Sequence, residues 1–535
     1  MHSHTPCSLA RRALLQTAIA VGMLSALPIS YAQSSAPALR IGLAAPNTAI
    51  DPHAQNNSPN NAVLSHVFDT LVVYDEKQDA KPGLAESWKV VDDTHWEFTL
   101  RKGVVFSDGT PLTAKDVVAS FARIEVLPSV SSFKTYTRSI DKVEAVDDHV
   151  LRFTTKAPTP LLPSFLTRVR IIKETFKDAA TADFNSGKAA IGTGPYVIEE
   201  YVPGTRIKLK RNEKYWGSKQ GWETVELRIV TDKAARLASM LSGDLDLIEA
   251  VPATDLARLK SDKRFKVVSA PSNRLIYIAL DQARDVSPFV RDNSGAPMIK
   301  NPLKDLRVRQ AISMAINREA IVDRVMDKQA IVASQFLTQG RFGTSDKIKP
   351  QPYDVKKATE LLKEAGYPQG FQLTLHSSSD RYINDSRIIQ TVAQLLSRIG
   401  ITARAEVQPW ATYVGAVTGR SYSAALGGWG ANTGETSNPL GAVVATRDDK
   451  AGMGTSNYGG YSNPELDALL KKAVATLDDD SRAHLLAQAS EIAINDLAII
   501  PLHHEVSVWA MSSKVDYVGR ADQYTMAMGA SPSAK

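Results

Sequence analysis

The sequence predicts a large α/β protein that is assembled from several subdomains. Strand patterns at 371–375 and 401–407 flank a helical pattern at 386–399, and this order is the building block of a parallel sheet. The 535 residues are enough for about three or four domains or subdomains. A hydrophobic fraction of 43% is sufficient for cores of ordinary density.

The first 32 residues have the three-part pattern of a secretory signal peptide. Arg11 and Arg12 precede an apolar run at 13–29, and Ser30-Tyr31-Ala32 offers small residues at both positions of a cleavage site. We expect cleavage after Ala32 and a periplasmic mature protein. The arginine pair leaves both the general and the twin-arginine export routes open.

Cysteine content and charge exclude several classes of protein. The single cysteine, Cys7, lies in the N-terminal segment, so structural disulfides and cysteine-rich zinc sites are excluded. The net charge is +6, but lysines such as Lys208 and Lys210 are interleaved with acids such as Glu213. This pattern indicates a mixed solvated surface and no nucleic-acid partner. No later segment has about 18 uninterrupted apolar residues, so no membrane span is predicted.

Local patterns in the first part of the chain predict strands and one helix. Residues 96–101 alternate apolar and polar side chains, as in a half-buried strand. Thr113 and Asp116 have the spacing of a capping box and predict the start of a helix. Apolar runs at 143–146 and 150–154 flank an Asp-Asp turn and predict a hairpin.

Similar patterns continue towards the C-terminus. A helical pattern at 232–241 is followed by an apolar strand pattern at 245–251. A second helix is predicted at 358–365. Ser462 and Glu465 have capping-box spacing and predict the start of a third helix.

We find no complete motif of an enzyme or a metal site. Gly192-Thr-Gly194 lacks the third glycine of a nucleotide-binding loop and predicts a turn. His503-His504-Glu505 lies in a strand-like stretch and lacks the spacing of a helical zinc site. We therefore predict no cofactor and no metal. Catalytic carboxylate pairs cannot be recognised from sequence, so a secreted hydrolase stays an alternative.

A glycine-rich run with one tryptophan is a candidate binding segment. Residues 427–434 contain four glycines around Trp429. A glycine backbone can approach a ligand closely, and the indole offers a flat apolar face. The same composition is equally typical of a buried tryptophan surrounded by tight turns.

Seven segments in a fixed order carry a family resemblance. They are residues 68–74, 82–88, 96–103, 106–117, 192–196, 212–216 and 307–318. Together they resemble the dipeptide-, oligopeptide- and nickel-binding family of periplasmic solute-binding proteins of ABC transporters. The resemblance covers essentially the whole mature chain.

The resemblance implies two lobes that are joined by a hinge and enclose a ligand. Lobe one is expected at 33–277 and 500–535, with an extra subdomain at 70–189, and lobe two at 278–499. Such a clamp removes the ligand from water on both sides, and binding shifts the population towards the closed form.

The resemblance also implies a binding segment with one important difference. In peptide-binding relatives, a Trp-x-Ala-Asp segment lies on the ligand backbone and its Asp holds the ammonium terminus. The matching residues here are Trp429, Gly430, Ala431 and Asn432, so an amide replaces the carboxylate. An amide cannot compensate a buried ammonium. Glu435 could do so only if the loop folds back, so we expect weak binding of ordinary free peptides.

Two further residues are expected in the cleft of lobe two. Trp410 matches an aromatic that walls the cleft, although a core or edge position is the alternative. Arg381 lies between a strand end and a helix start, where open α/β sheets bind ligands, and could pair with a ligand carboxylate. Its alternative is a salt bridge to Asp380 or Asp385.

Three residues are expected to face the ligand from lobe one. Asn56 and Ser58 belong to a loop that matches a ligand-facing loop of the family, and Phe133 falls near another such position.

The predicted function is that of a periplasmic binding protein without enzymatic activity. It delivers a peptide-like or other small polar solute to an inner-membrane ABC permease and acts as a monomer. A nickel chelate, an opine and a sugar derivative are alternative ligands.

Overall fold

The computed structural model describes residues 37–129 and 132–534. The predicted signal peptide lies outside the described residues. In chain order the strands are β1 (Ala38–Leu43), β2 (Val72–Tyr74), β3 (Ala80–Pro82), β4 (Ala85–Val90), β5 (His95–Leu100), β6 (Ile140–Ala145), β7 (Val150–Thr155), β8 (Tyr196–Val202), β9 (Arg206–Arg211), β10 (Thr224–Ile229), β11 (Leu247–Glu249), β12 (Phe265–Leu280), β13 (Val290–Arg291), β14 (Ala330–Val332), β15 (Gln372–Ser378), β16 (Thr402–Gln408), β17 (Ala424–Gly430), β18 (Ile500–Ser512), β19 (Val515–Tyr517) and β20 (Ala530–Pro532).

The helices connect and cover these strands. They are α1 (Ser58–Leu64), α2 (Ala114–Val126), α3 (Lys134–Thr137), α4 (Leu162–Leu166), α5 (Thr181–Asn185), α6 (Lys233–Leu241), α7 (Leu256–Ser261), α8 (Leu306–Ala315), α9 (Arg318–Ala320), α10 (Val355–Glu364), α11 (Asp385–Leu396), α12 (Trp410–Thr418), α13 (Ser437–Pro439), α14 (Pro464–Ala473) and α15 (Asp479–Asn495). All of the helices and strands predicted above are present, with small shifts at their ends. Asn463, and not Ser462, caps α14, because its side chain accepts the backbone N–H groups of the first turn.

Two long antiparallel strands, β12 and β18, run through both halves of the molecule. Their pairing is regular at 265–271, is broken before Leu275, and shifts register once more between Ile276 and Tyr277. On one side of this break the sheet continues through β11, β1, β10, β9 and β8, and we call this half lobe one. On the other side it continues through β17, β15 and β13, and we call this half lobe two. The fold is therefore the predicted two-lobed α/β fold, and the break at 272–274 lies slightly before the expected boundary at 277.

Lobe two contains the predicted strand–helix–strand unit. β15 is parallel to both β16 and β17, and α11 connects β15 to β16. The helix buries one apolar face, including Ile388 and Val392, in the core of the lobe. Because the three strands are parallel, the residues that follow each of them lie along one edge of the sheet. This edge positions the candidate site.

An appended domain extends lobe one. Its sheet has the antiparallel order β4-β5-β7-β6, and its core is drawn from residues between Leu71 and Ile171. α2 starts with the predicted capping box, in which Asp116 accepts the backbone N–H of Thr113 at 2.8 Å. The hairpin of β2 and β3 projects from this domain towards lobe two.

Within the described ranges, no helix combines the length and the apolar character that crossing a membrane requires.

Candidate functional site

Arg381 and Trp410 lie together at the carboxyl edge of the lobe-two sheet. Arg381 follows β15, and Trp410 opens α12 directly after β16. The backbone N–H of Trp410 donates to Asp380 at 2.7 Å, and the guanidinium carbon of Arg381 lies 5.4 Å from the centre of the Trp410 ring system. The two side chains therefore form a cation–π pair at the edge where ligands bind in open sheets.

The guanidinium of Arg381 forms no salt bridge within the described part of the chain, so neither predicted alternative partner holds it. Asp380 is used by the backbone of Trp410. Asp385 accepts the backbone N–H groups of Arg381 and Tyr382 and the hydroxyl of Ser378. The guanidinium itself stays exposed.

Tyr382 lies beneath this pair. Burial raises the pKa of Tyr382 to about 12, so its hydroxyl stays protonated at neutral pH. The hydroxyl donates to the carbonyl of Gly428 at 3.3 Å. This bond ties the Arg381 region to β17, which leads into the binding segment predicted at 429–432.

Backbone hydrogen bonds join the 429–432 segment to Asn273, which lies in the break at 272–274. The N–H of Ala431 donates to the carbonyl of Asn273 at 3.0 Å, and the carbonyl of Ala431 accepts from the side chains of Asn273 and Gln78, each at 3.1 Å. A Cβ atom added to Gly430 would lie 3.3 Å from the Asn273 side chain. The absence of a side chain at Gly430 thus allows this close approach.

Trp429 is half-buried in the structure. Its indole N–H donates to the side chain of Asn438 at 2.8 Å, and its ring packs against the apolar core under β12 and α15. The residue therefore has a structural partner on one side and a partly exposed surface on the other.

Asn432, the last residue of the segment, is exposed, and its backbone carbonyl accepts from Arg168 of lobe one at 3.2 Å. Glu435 does not turn back towards the segment, because it is buried beside Arg482, with 3.4 Å between the charged atoms. Burial raises the pKa of Glu435.

A second acid near the site is also engaged. Glu505 of β18 is buried and lies 3.4 Å from the Nε of Arg274. It also accepts from the side chain of Gln523 and the backbone of Ile383, each at 3.3 Å. Like Glu435, it already has a cationic partner within the protein.

In the predicted loop of lobe one, Asn56 is linked to Arg170 through the side chain of Asn61. Asn56 accepts from the side chain of Asn61 at 3.0 Å, and the side-chain oxygen of Asn61 accepts from Arg170 at 3.1 Å. Ser58 is the exposed first residue of α1.

Phe133, the third residue expected from lobe one, is buried. Its side chain is 1% exposed and belongs to the core of the appended domain. The apolar ring packs inward, with its centre 6.5 Å from that of His53 and 6.4 Å from that of Tyr136, so a contact between Phe133 and the ligand stays a prediction that this burial does not favour.

Sequence reasoning missed a cavity in lobe one. Its volume is about 210 Å³, and its lining includes Arg168, Arg170, Tyr74 and Tyr524. The available signal was the pair Arg168 and Arg170, two cations spaced by one residue in a mostly apolar stretch, although Arg168 itself lies in the turn after α4. Tyr524 also lines the cavity, but it lies far from the two arginines in the sequence, so no local sequence pattern indicates its role.

Contacts join the appended domain and lobe one to lobe two. Besides the bonds from Gln78 and Arg168, Arg341 forms a salt bridge with Asp79 at 3.1 Å between the charged atoms. The hairpin tip at 75–79 is thus seated on lobe two beside the 429–432 segment.

In the described residues, no group of three or more His, Cys, Asp or Glu side chains is arranged to hold a metal ion. His503 and His504 lie on β18, and burial lowers their pKa values to about 3 and about 4. Both rings are therefore neutral at physiological pH.

Comparison with known proteins agrees with this architecture. Heme-binding protein A of Haemophilus influenzae is 28% identical over 510 residues, which cover 89% of this chain and 88% of that protein. The glutathione-binding protein GsiB of Salmonella choleraesuis is 28% identical over 506 residues, covering 92% and 94%.

A solved structure agrees as well. DppA from Helicobacter pylori, an ABC transporter-associated periplasmic binding protein in complex with the peptide STSA, superposes with a TM-score of 0.73. Its sequence is 25% identical, and the match covers 92% of this chain and 98% of that one. Residues 79–451 match the family described as bacterial extracellular solute-binding proteins, family 5 Middle. Since this match spans well over half of the sequence and the two-lobed fold agrees with it, the chain belongs to the family 5 solute-binding proteins.

Proposed function

We propose that this protein encloses a small, anionic, peptide-like solute between its lobes and delivers it to an ABC importer of the inner membrane. The solute contacts the 429–432 segment, Trp410 and Arg381. The family membership supports the receptor role, and the relatives named for glutathione and for a bound peptide support a peptide-like ligand. The protein acts as a monomer and without catalysis.

The charges around the site favour an anionic solute. Arg381 has no acidic partner among the described residues, whereas Glu435 and Glu505 each lie beside an arginine. A carboxylate that enters the site gains an ion pair with Arg381. A buried ammonium would find Asn432 in place of a carboxylate and would stay uncompensated, which costs several kcal/mol.

Calorimetry with matched peptides tests this proposal. We expect N-acetylated acidic tripeptides to bind more tightly than amidated tripeptides with a free ammonium group. Arg381→Gln should weaken the binding of the acidic peptides about 10-fold or more, since hydrogen bonds to charged groups contribute about 1.5–3 kcal/mol. Arg447→Gln, an exposed arginine of the same lobe, serves as the control.

Two results would contradict the proposal. One is nanomolar binding of free peptides that is lost on N-acetylation, because another residue would then supply an anion. The other is turnover of the peptides, which would indicate a hydrolase.

The export proposal has its own test. If cleavage follows Ala32, N-terminal sequencing of the periplasmic form will begin at Gln33. An intact Met1, or protein recovered only from membranes, would refute it.

A further inference from the structure

Arg168 and Arg170 of lobe one are two buried cations without an anionic partner. They are 6% and 3% exposed. Neither forms a salt bridge within the described ranges, and the Nε atom of each is buried without a hydrogen-bond partner. Burying a charge has a large desolvation cost unless the charge is paired. We therefore expect an anion to bind beside these two arginines.

The neighbouring groups orient the two guanidiniums without neutralising them. Arg168 donates to the hydroxyl of Tyr524 at 2.5 Å and to the carbonyl of Asn432 at 3.2 Å. Arg170 donates to the side chain and the carbonyl of Asn61, at 3.1 and 2.5 Å. All of these acceptors are uncharged. Burial, and then the repulsion from Arg168, lower the pKa of Arg170 to about 10, so both groups remain cationic at neutral pH.

The acids that line the same cavity are already engaged. Asp522 forms a salt bridge with Arg520 at 2.7 Å. Asp69 accepts from the indole of Trp216 at 2.8 Å and from the hydroxyl of Thr193 at 3.0 Å. The cavity lining thus holds three arginines and two acids, and one arginine and one acid neutralise each other.

We propose that this cavity is a subsite for a carboxylate of the solute, which binds to Arg168 and Arg170. This inference rests on the proposed function and extends it, because it adds a second anionic group to the ligand, on the lobe opposite Arg381. The cavity volume of about 210 Å³ lies below the ~300–1,000 Å³ of pockets that hold a whole small molecule. Only one end of the solute enters it. The bond from Arg168 to the carbonyl of Asn432 places this subsite next to the 429–432 segment.

The test uses succinate as the probe and the neutral succinamide as its matched control. Protein that has been refolded from denaturant, to remove carried-over solute, is titrated with each compound in a calorimeter. We expect succinate to bind and succinamide not to bind. Arg168→Gln and Arg170→Gln should each raise the dissociation constant about 10-fold or more, as expected for the loss of a charge-assisted bond.

Arg318→Gln is the matched control, because Arg318 is also buried and donates to Pro501 and Ser313 but lies in lobe two, away from the cavity. It should leave succinate binding unchanged. If Arg170→Gln does not fold, Arg170→Lys keeps the charge while removing the planar donor group, and should still weaken binding about 10-fold. Equal affinity of wild type and the Arg170 variants would overturn the subsite. Tighter binding of inorganic phosphate than of succinate would overturn its assignment to a carboxylate.

The two proposals fail in different ways. If the peptides of the calorimetric panel do not bind but succinate binds in an Arg170-dependent manner, the peptide proposal is wrong and the subsite stands. If the peptides bind equally well to wild type and both arginine variants, the subsite is wrong and the receptor function stands.

Discussion

Gln78 connects the appended domain to the binding segment, and removing its side chain should favour separation of the lobes. The residue is 3% exposed at the tip of the β2–β3 hairpin. It donates to the carbonyl of Ala431 at 3.1 Å and accepts from Asn273 at 2.8 Å. We expect Gln78→Ala to destabilise the form in which the hairpin contacts lobe two.

The magnitude follows from these two bonds. Each neutral hydrogen bond contributes about 0.5–1.5 kcal/mol net. The carbonyl of Ala431 keeps its bond from Asn273, so no buried group is left without a partner, and the loss of the two bonds should cost at least about 1 kcal/mol. The backbone of Gln78 has a φ of 66°, which alanine disfavours as much as glutamine does, so backbone strain does not change.

A change of at least about 1 kcal/mol multiplies the ratio of separated to closed molecules by about 5 or more. The apparent affinity for any solute bound by the closed form should fall in proportion to the decrease in the closed fraction. Small-angle scattering of the ligand-free protein measures the first effect as a larger radius of gyration, and calorimetry measures the second. Lys77→Ala, an exposed neighbour on the same hairpin, is the control. If both variants match wild type in both measurements, the hairpin is not a closing contact.

Three further predictions concern single side chains. Trp429→Ala should weaken solute binding by about 2 kcal/mol, and Trp429→Phe by less, in calorimetry on folded protein; unchanged affinity would make the indole purely structural. Burial raises the pKa of Asp69 from 3.8 to about 6, so its ionisation lowers the free energy of unfolding as the pH rises through this window. Asp69→Asn should therefore be more stable than wild type at pH 7.5, by up to about 3 kcal/mol, and should lose this advantage below pH 4. Melting temperatures at both pH values measure the effect, and a lower value for the variant at both would contradict the argument. Asp51→Asn breaks a buried ion pair with Arg123, whose 2.7 Å contact lowers the pKa of Asp51 although burial alone would raise it. Urea titration at pH 7 should show a loss of about 3–5 kcal/mol that shrinks as the pH falls below 3.8. Breaking the exposed pair of Arg264 and Asp262 should cost far less.

Local patterns predicted the frame of the site well. The unit from β15 to β16 was recognisable because strand and helix periodicities, with a closing glycine, are properties of neighbouring residues. Gly400 indeed has a φ of 89°, which suits glycine. The parallel strands then bring Arg381 and Trp410 to one edge, a consequence of topology that needs no further information.

Side-chain direction and long-range pairing could not be predicted in the same way. Phe133 was assigned by its position relative to a family pattern, which does not specify whether the ring points to the cleft or to the core. The partners of Arg168 come from Tyr524 and Asn432, more than 250 residues away. Whether Arg168 is neutralised depends on which side chains the fold brings near, and this is decided only by tertiary packing.

The last prediction concerns Asn432→Asp, which restores the aspartate of the family pattern. We expect this variant to bind an anionic ligand more weakly, and not to gain the ammonium binding of the relatives. In peptide-binding relatives the resemblance assigns an ammonium-binding role to the aspartate at this position. Here the backbone carbonyl of Asn432 already accepts from Arg168, so a carboxylate on the same residue would lie close to that guanidinium. The new acid should compete with an entering ligand carboxylate for Arg168. Because the Asn432 side chain is exposed, the interaction should be worth about 0.5–1 kcal/mol, so succinate affinity should fall about 2- to 5-fold. Asn432→Ser, which adds no charge, should leave it unchanged. Calorimetry with succinate and with a free tripeptide compares the two effects. If Asn432→Asp instead creates tight, ammonium-dependent binding of the tripeptide while succinate binding is retained, Arg168 does not control the charge at this position and the anionic character of the site must arise elsewhere.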